Sequence, residues 1–274
     1  MRKVSRRIEG RLILLRIVLP ACLLTLLMVG LGLLITRVLA HQWPFTVEDG
    51  VDRAFAAHRG RLGNDVSGVF STGASTPWAI SLTVVAVVGA RLFYRRWREA
   101  MFIAAAMLVE VSVFLVTTLL VHRARPGVPE LDISPPTSSY PSGHTAAALA
   151  LYGSLALLVF LRTRRSWAWL LLLIPAAVGT SRLYRGMHHP SDVVAGLILG
   201  TLSLYIAKRA VLDSERTAPD SRPSAPASGL GFPDPDRAKP ASGHDATAPA
   251  LSRSRITGRR LRTSNRPRAY GGTR

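Results

Sequence analysis

The chain has 274 residues, 48% of them hydrophobic, with 35 lysines and arginines against 16 acidic residues and a formal net charge of +19. Most of that charge falls between apolar stretches and near the C-terminal end, a pattern of membrane orientation that argues against a nucleic-acid partner. The single cysteine, Cys22, lies in the first apolar run, so a disulfide within the chain and a cysteine-based metal site are both excluded.

Crossing a bilayer takes about 20 apolar residues per helix. Six segments meet that length, at 12–40, 78–94, 100–121, 144–161, 167–184 and 190–207. The first follows Arg2, Lys3, Arg6 and Arg7, and Val38-Leu39-Ala40 resembles a signal-peptide cleavage site. Its apolar core from Ile17 to Thr36 is longer than that of a secretory signal, so it reads as an anchor. In the next connection Glu48, Asp49, Asp52 and Asp65 mix with Arg53, Arg59 and Arg61, while Val51, Phe55 and Ala56 recur at helical spacing. This predicts a short amphipathic helix, either lying near the lipid headgroups or covering the bundle. Glu110 is an ionisable group inside a span, on one helical face with Phe114 and Thr118, and either pairs with a buried cation or packs in protonated form. Trp78, Trp167 and Trp169 fall at span ends as interface anchors, and Gly30, Gly32, Gly196 and Gly200 suit close helix packing.

Lysines and arginines set the orientation. The N-terminus, Arg95-Arg96-Arg98, Arg162-Arg164-Arg165 and Lys208-Arg209 occupy alternate connections and can all be cytoplasmic together. Both termini are then cytoplasmic, and the loops 41–77, 122–143 and 185–189 face outward. From about Asp213 the apolar periodicity ends and Pro, Ser, Ala, Gly and Arg dominate, a composition that cannot bury enough surface to fold. The expected architecture is an all-α, six-transmembrane-helix bundle over residues 1–211, with a disordered basic cytoplasmic tail over 212–274. The tail's arginines suit anionic lipid, although a solvated extension is equally compatible with them. Its Ala241-Ser242-Gly243-His244 repeats a motif found in the bundle and is read as coincidence, being on the opposite side of the membrane.

Three short stretches come to the outward end of the spans: Arg125-Pro126, Pro141-Ser142-Gly143-His144, and Ser181-Arg182 with His188 and Asp192. Breaking a phosphate ester or diphosphate needs a nucleophile in line, cations around the phosphoryl oxygens and a proton for the departing oxygen. His188 is placed as the nucleophile, with Asp192 four residues on to accept its ring N–H. His144, at a helix start where free N–H groups favour an anion, is placed as acid and then base. Arg125 and Arg182 supply forked donors.

In this order the motifs resemble those of the type 2 phosphatidic acid phosphatase (PAP2) superfamily, which includes bacterial undecaprenyl-diphosphate phosphatases, glucose-6-phosphatase and vanadium haloperoxidases. The second and third motifs match at Pro141 to His144 and at Ser181, Arg182, His188 and Asp192. The resemblance implies a phosphohistidine at His188, acid–base work by His144, and phosphate binding by Arg125, Ser142, Gly143 and Arg182, with no metal and no cofactor. The family's first motif usually has a lysine seven residues before its arginine; here Thr118 stands there, and a hydroxyl does not replace the ammonium charge. Arg123 is near enough in sequence to compensate.

The expected function is therefore a multi-pass cell-membrane phosphatase acting at the outer face on a lipid phosphate, of the polyprenyl diphosphate or phosphatidic acid type. Its partners would be that substrate and the surrounding lipid, with no nucleic acid. Two readings stand beside it: a non-catalytic protein that binds lipid phosphate, favoured by Thr118 and the basic tail, and a vanadate-dependent peroxidase using the same pocket.

Overall fold

Hydrocarbon offers the backbone no hydrogen-bond partners, so a chain that enters it must satisfy its own N–H and C=O groups. The computed structural model meets that demand with helices and contains no strand among the described residues, which are 2–133 and 137–213, with side chains from residue 15 onward. The expected disordered tail beyond residue 213 and its Ser-Gly-His repeat lie outside the described residues.

Eight α-helices follow in order among the described residues. Helix α1 (Arg2–Leu33) runs on in wider turns through Leu34–Leu39. Two shorter helices, α2 (Glu48–Ala57) and α3 (Arg61–Gly73), fill the next connection. Then come α4 (Thr76–Tyr94), α5 (Trp97–Leu120) and α6 (Gly143–Thr163). A tighter stretch at Ser166–Leu172 leads into α7 (Leu173–Tyr184), and α8 (Pro190–Ala207) widens over Lys208–Leu212. Among the described residues six stretches are long and apolar enough to cross a membrane: Leu15–Leu39, Thr76–Tyr94, Trp97–Leu120, Gly143–Thr163, Ser166–Tyr184 and Pro190–Leu212. Each lies within a few residues of the expected span.

Helices α5, α6 and α8 form the centre. One apolar cluster joins Leu24, Met28 and Ile35 of α1 to Val109 and Val113 of α5 and to Ala195, Leu199 and Ile206 of α8. A second joins Ala90 of α4 to Phe102, Ile103 and Ala106 of α5, with Leu151 and Leu158 of α6. The outer faces of α1 and α4 expose Leu19, Leu23, Leu26, Val85, Val88 and Leu92, which suits contact with lipid tails.

Backbone approach between α6 and α8 depends on missing side chains. A Cβ on Gly196 would stand 2.5 Å from the Ser142 carbonyl oxygen, and one on Gly200 would stand 2.7 Å from that of Ala146. Gly32 likewise makes room for the Tyr140 ring. Gly30 does not serve packing as expected: nothing lies within 4 Å of the place a Cβ would take.

The two ends of the bundle differ. At one end Glu99 pairs with Arg162, and Arg98 donates to the carbonyls of Val211 and Leu212. At the other, the 121–142 connection, the 185–189 turn and helices α2 and α3 come together. There Tyr140, fully buried, donates its hydroxyl to the Met28 carbonyl at 3.2 Å, tying α1 to the residue just before Pro141.

Because the atom facing Gly196 is backbone, Gly196→Ala is expected to lower the thermal unfolding midpoint of the detergent-solubilised protein by several degrees, whereas Gly30→Ala leaves it unchanged.

Candidate active site

His188 and His189 lie in the turn that ends at α8, and their rings take different partners. The His188 Nδ1 is 2.6 Å from the Ser139 carbonyl oxygen. A carbonyl only accepts, so Nδ1 carries the proton and Nε2 keeps its lone pair. Burial, then the Arg182 and Arg125 guanidinium groups, push the His188 pKa well below its ordinary value, so the imidazole is neutral at neutral pH. The His189 Nδ1 instead bonds the Asp52 carboxylate of α2 at 2.9 Å. Burial opposes a charge on His189, but the hydrogen bond to Asp52 and nearby carboxylates override it and raise the pKa.

Asp192 does not accept the His188 N–H as expected. Its Oδ2 is 3.9 Å from His188 Nδ1 and accepts instead from the His189 backbone N–H at 2.9 Å, in the manner of an N-terminal helix cap, with Ser139 Oγ also at 2.9 Å. His188 precedes α8 rather than belonging to it, so the four-residue spacing does not bring the two side chains face to face. Asp192 therefore holds the Ser139 residue whose carbonyl holds His188. It is completely buried, and its Oδ1 is met by Arg123 Nη1 at 2.5 Å.

The two motif arginines are anchored differently. Arg125 donates Nη1 to the Met187 carbonyl at 2.6 Å. Arg182, near the end of α7, donates Nη1 to Asp132 Oδ2 at 2.7 Å and to Ser71 Oγ of α3 at 2.6 Å. Its buried Nε has no hydrogen-bond partner among the described residues. Asp132 also accepts from Arg185 Nε at 2.8 Å. Against the cost of burial, hydrogen bonds from Arg185 and Ser71 and the charges of Arg182 and Arg185 lower the Asp132 pKa.

His188, His144, Arg125, Arg182 and Gly143 share the wall of one cavity of about 610 Å³. From this polar end the cavity extends between α4 and α5, past Thr118, Phe114 and Glu110 on one side and Ile80 and Val84 on the other. Eight helical residues separate Thr118 from Glu110, a drop of about 12 Å. Glu110 is 3% exposed and makes no ion pair among the described residues. Thr118 Oγ1 is buried and without a hydrogen-bond partner among the described residues. Gly143 is required by the fit here, since a Cβ would meet the Phe114 ring at 2.8 Å.

Several expected site residues do not reach that wall. Ser142 is fully buried, with its hydroxyl 2.9 Å from Thr145 Oγ1 and its N–H given to the Asp192 carbonyl at 3.0 Å, so neither polar group faces the cavity. Arg123 does not fill the place left by Thr118: Nη1 is held by Asp192 and by Ser191 Oγ at 2.6 Å, and Nη2 by Glu48 Oε2 at 2.7 Å. The α2 helix exists as expected, and burial of its Glu48 and Asp52 agrees with the second of its two readings, a helix covering the bundle. Ser139, Asp132, Ser71, Glu48 and Asp52 were not assigned from sequence; the one signal was the four-residue spacing of Glu48 and Asp52 on α2. Asp49, Asp52 and His189 place ligand-type atoms within 4.8 Å of one another, the one such group among the described residues. Asp52 and His189 are already bonded to each other.

A carboxylate with a lowered pKa stabilises the fold above its ordinary titration range, and that contribution is lost as pH falls through the lowered value. Thermal midpoints measured from pH 7 down to pH 3 should therefore drop for the native chain, and Asp132→Asn should be less stable at pH 7 with a shallower acid decline.

The sequence and the fold place these residues among known proteins. Residues 99–216 match the family model of the PAP2 superfamily. Over 102 residues the chain is 35% identical to the bacitracin transport permease protein BcrC of Bacillus licheniformis, covering 37% of this chain and 48% of that protein. Over 107 residues it is 36% identical to an undecaprenyl-diphosphatase of Sulfolobus acidocaldarius, covering 39% of this chain and 50% of that one. The matched part thus spans about half the length of these relatives. The crystal structure of a transmembrane PAP2 type phosphatidylglycerolphosphate phosphatase from Bacillus subtilis superposes with a TM-score of 0.61 at 21% identity, over 74% of this chain and 98% of that one, and shares the fold. The matched stretch, residues 99–216, holds Arg125, His144, Arg182, His188 and Asp192, so the part of the chain that lines the cavity is the part similar to the PAP2 superfamily.

Proposed function

We propose that the chain is a membrane phosphatase that removes phosphate from a lipid-linked phosphate or diphosphate at the outer face of the membrane. One observation carries the reading: a neutral imidazole with a free Nε2, a second histidine and two guanidinium groups meet on the wall of a cavity whose other end is apolar and lies between membrane-length helices. Charged and apolar ends in one cavity match an amphiphile with an anionic head.

The chemistry follows from the contacts. Arg125 and Arg182 hold the phosphoryl oxygens, and the unpartnered Arg182 Nε supplies a further donor. His188 Nε2 attacks phosphorus, the bond from phosphorus to the lipid-side oxygen breaks, and His144 gives that oxygen a proton. His144 then takes a proton from water, whose oxygen attacks the phosphohistidine; the N–P bond breaks and inorganic phosphate leaves. Ser139, held by Asp192, keeps the His188 proton on Nδ1 throughout. No step calls for a metal ion. The name of the Sulfolobus acidocaldarius relative favours polyprenyl diphosphate, and that of the Bacillus subtilis structure a glycerolipid phosphate, as first candidates. The outward face rests on the distribution of lysine and arginine among the loops.

Purified protein in detergent should release phosphate from polyprenyl diphosphate or phosphatidic acid with chelator present, and His188→Ala should lose about a thousand-fold or more of that rate. Folded protein that releases phosphate from neither lipid would instead favour a lipid-phosphate-binding role.

A further inference from the structure

We infer that Glu48, on α2 and outside every motif, is a positioning residue for the reaction: through Arg123, Asp192 and Ser139 it fixes the ring of His188. The inference rests on the phosphatase reading above. Glu48 is 7% exposed although it begins a short helix near the end of the bundle, and both its oxygens are used. Oε1 accepts the Ser191 backbone N–H at 2.7 Å, at the first turn of α8, and Oε2 accepts Arg123 Nη2 at 2.7 Å. Arg123 passes the constraint to Asp192 Oδ1 at 2.5 Å, Asp192 Oδ2 to Ser139 Oγ at 2.9 Å, and the Ser139 carbonyl to His188 Nδ1 at 2.6 Å. The same helix repeats the attachment one turn later, where Asp52 bonds His189.

The links are buried or doubly paired, with the single Ser139 hydroxyl proton shared between Asp192 Oδ2 at 2.9 Å and the Ala124 carbonyl at 3.0 Å. Asp192 and Ser139 are completely buried, and the Arg123 fork is filled on both terminal nitrogens. Neither Glu48 nor Arg123 lies on the wall of the cavity that His188 and the two motif arginines share. Their influence must therefore fall on the aim of the nucleophile and not on the hold on phosphate. Interactions of that kind change the rate of the chemical step and leave ground-state binding nearly untouched. Arg123 is thereby a positioning residue too, and not a substitute for a cation at Thr118.

The test uses full-length protein in detergent and the variants Glu48→Gln, which keeps an acceptor for Ser191 but loses the charge facing Arg123, and Arg123→Lys, which keeps charge but loses the fork. With polyprenyl diphosphate, each should lower kcat about tenfold with KM within about twofold, and the double variant should be little worse than either single one. Binding of vanadate and of inorganic phosphate, followed by thermal shift, gives a readout without turnover. With His188 as nucleophile, vanadate would bond to its Nε2 in a five-coordinate geometry like that of the transition state, so vanadate affinity should fall about tenfold while that of phosphate holds. Wild-type kcat in Glu48→Gln, or a raised KM with kcat retained in Arg123→Lys, would overturn the inference; should Glu48→Gln not fold, Arg123→Lys decides alone. If the native chain binds vanadate but releases no phosphate, the phosphatase reading fails and the vanadate-to-phosphate ratios still decide this one. A native chain that binds neither anion overturns both.

Discussion

A carboxylate with no exposed surface, Asp192, governs this end of the bundle. Removing an anion from water is costly unless charge and hydrogen bonds replace the lost hydration. Its compensation comes from the Arg123 guanidinium and Ser139 hydroxyl in the connection before α6 and from the His189 N–H in its own turn. Glu48 then balances the second arm of Arg123 from α2. Losing one partner of a buried pair typically costs about 3–5 kcal/mol, because the other is left uncompensated. Satisfying this one charge thus requires three separate connections to be in place, two of which carry Arg125 and His188 of the cavity wall.

Much of this was legible in the sequence, for two different reasons. The spans were visible because hydrocarbon tolerates so few residue types that length and composition suffice. The cavity residues Arg125, His144, Arg182 and His188 were visible because histidine and arginine are uncommon at the ends of such spans and carry phosphate chemistry. What stayed hidden depends on pairings across the chain. Ser139 acts through its backbone carbonyl, which no side-chain pattern reveals, and Glu48 meets Ser191 across 143 residues of sequence. Asp192 was misdirected by a rule that holds only within a helix: the chain at His188 has not yet become one. Arg123 had the right charge near the right place, but two nearby carboxylates claim it.

The cavity joins two kinds of environment with an abrupt boundary. Guanidinium and imidazole groups line one end, and within a few residues the wall becomes Phe114, Ile80 and Val84. Thr118 sits at that boundary with its hydroxyl unbonded, and Glu110 lies farther along the same face of α5. Under the proposed function, polar groups so placed would meet the part of an amphiphile just beyond its phosphate.

Helix α1 is usually thought of, in a chain of this kind, as the piece that holds the rest in the bilayer. Here the Met28 carbonyl accepts from Tyr140, and Gly32 leaves the space in which that ring sits, immediately before the Pro141 to His144 motif. The first helix is thus a structural wall of the loop that leads into that motif. Exchanging it for an unrelated anchor of equal length and hydropathy would preserve membrane insertion yet deprive the loop of its footing, so grafting and fusion designs need to retain the face that carries Met28 and Gly32.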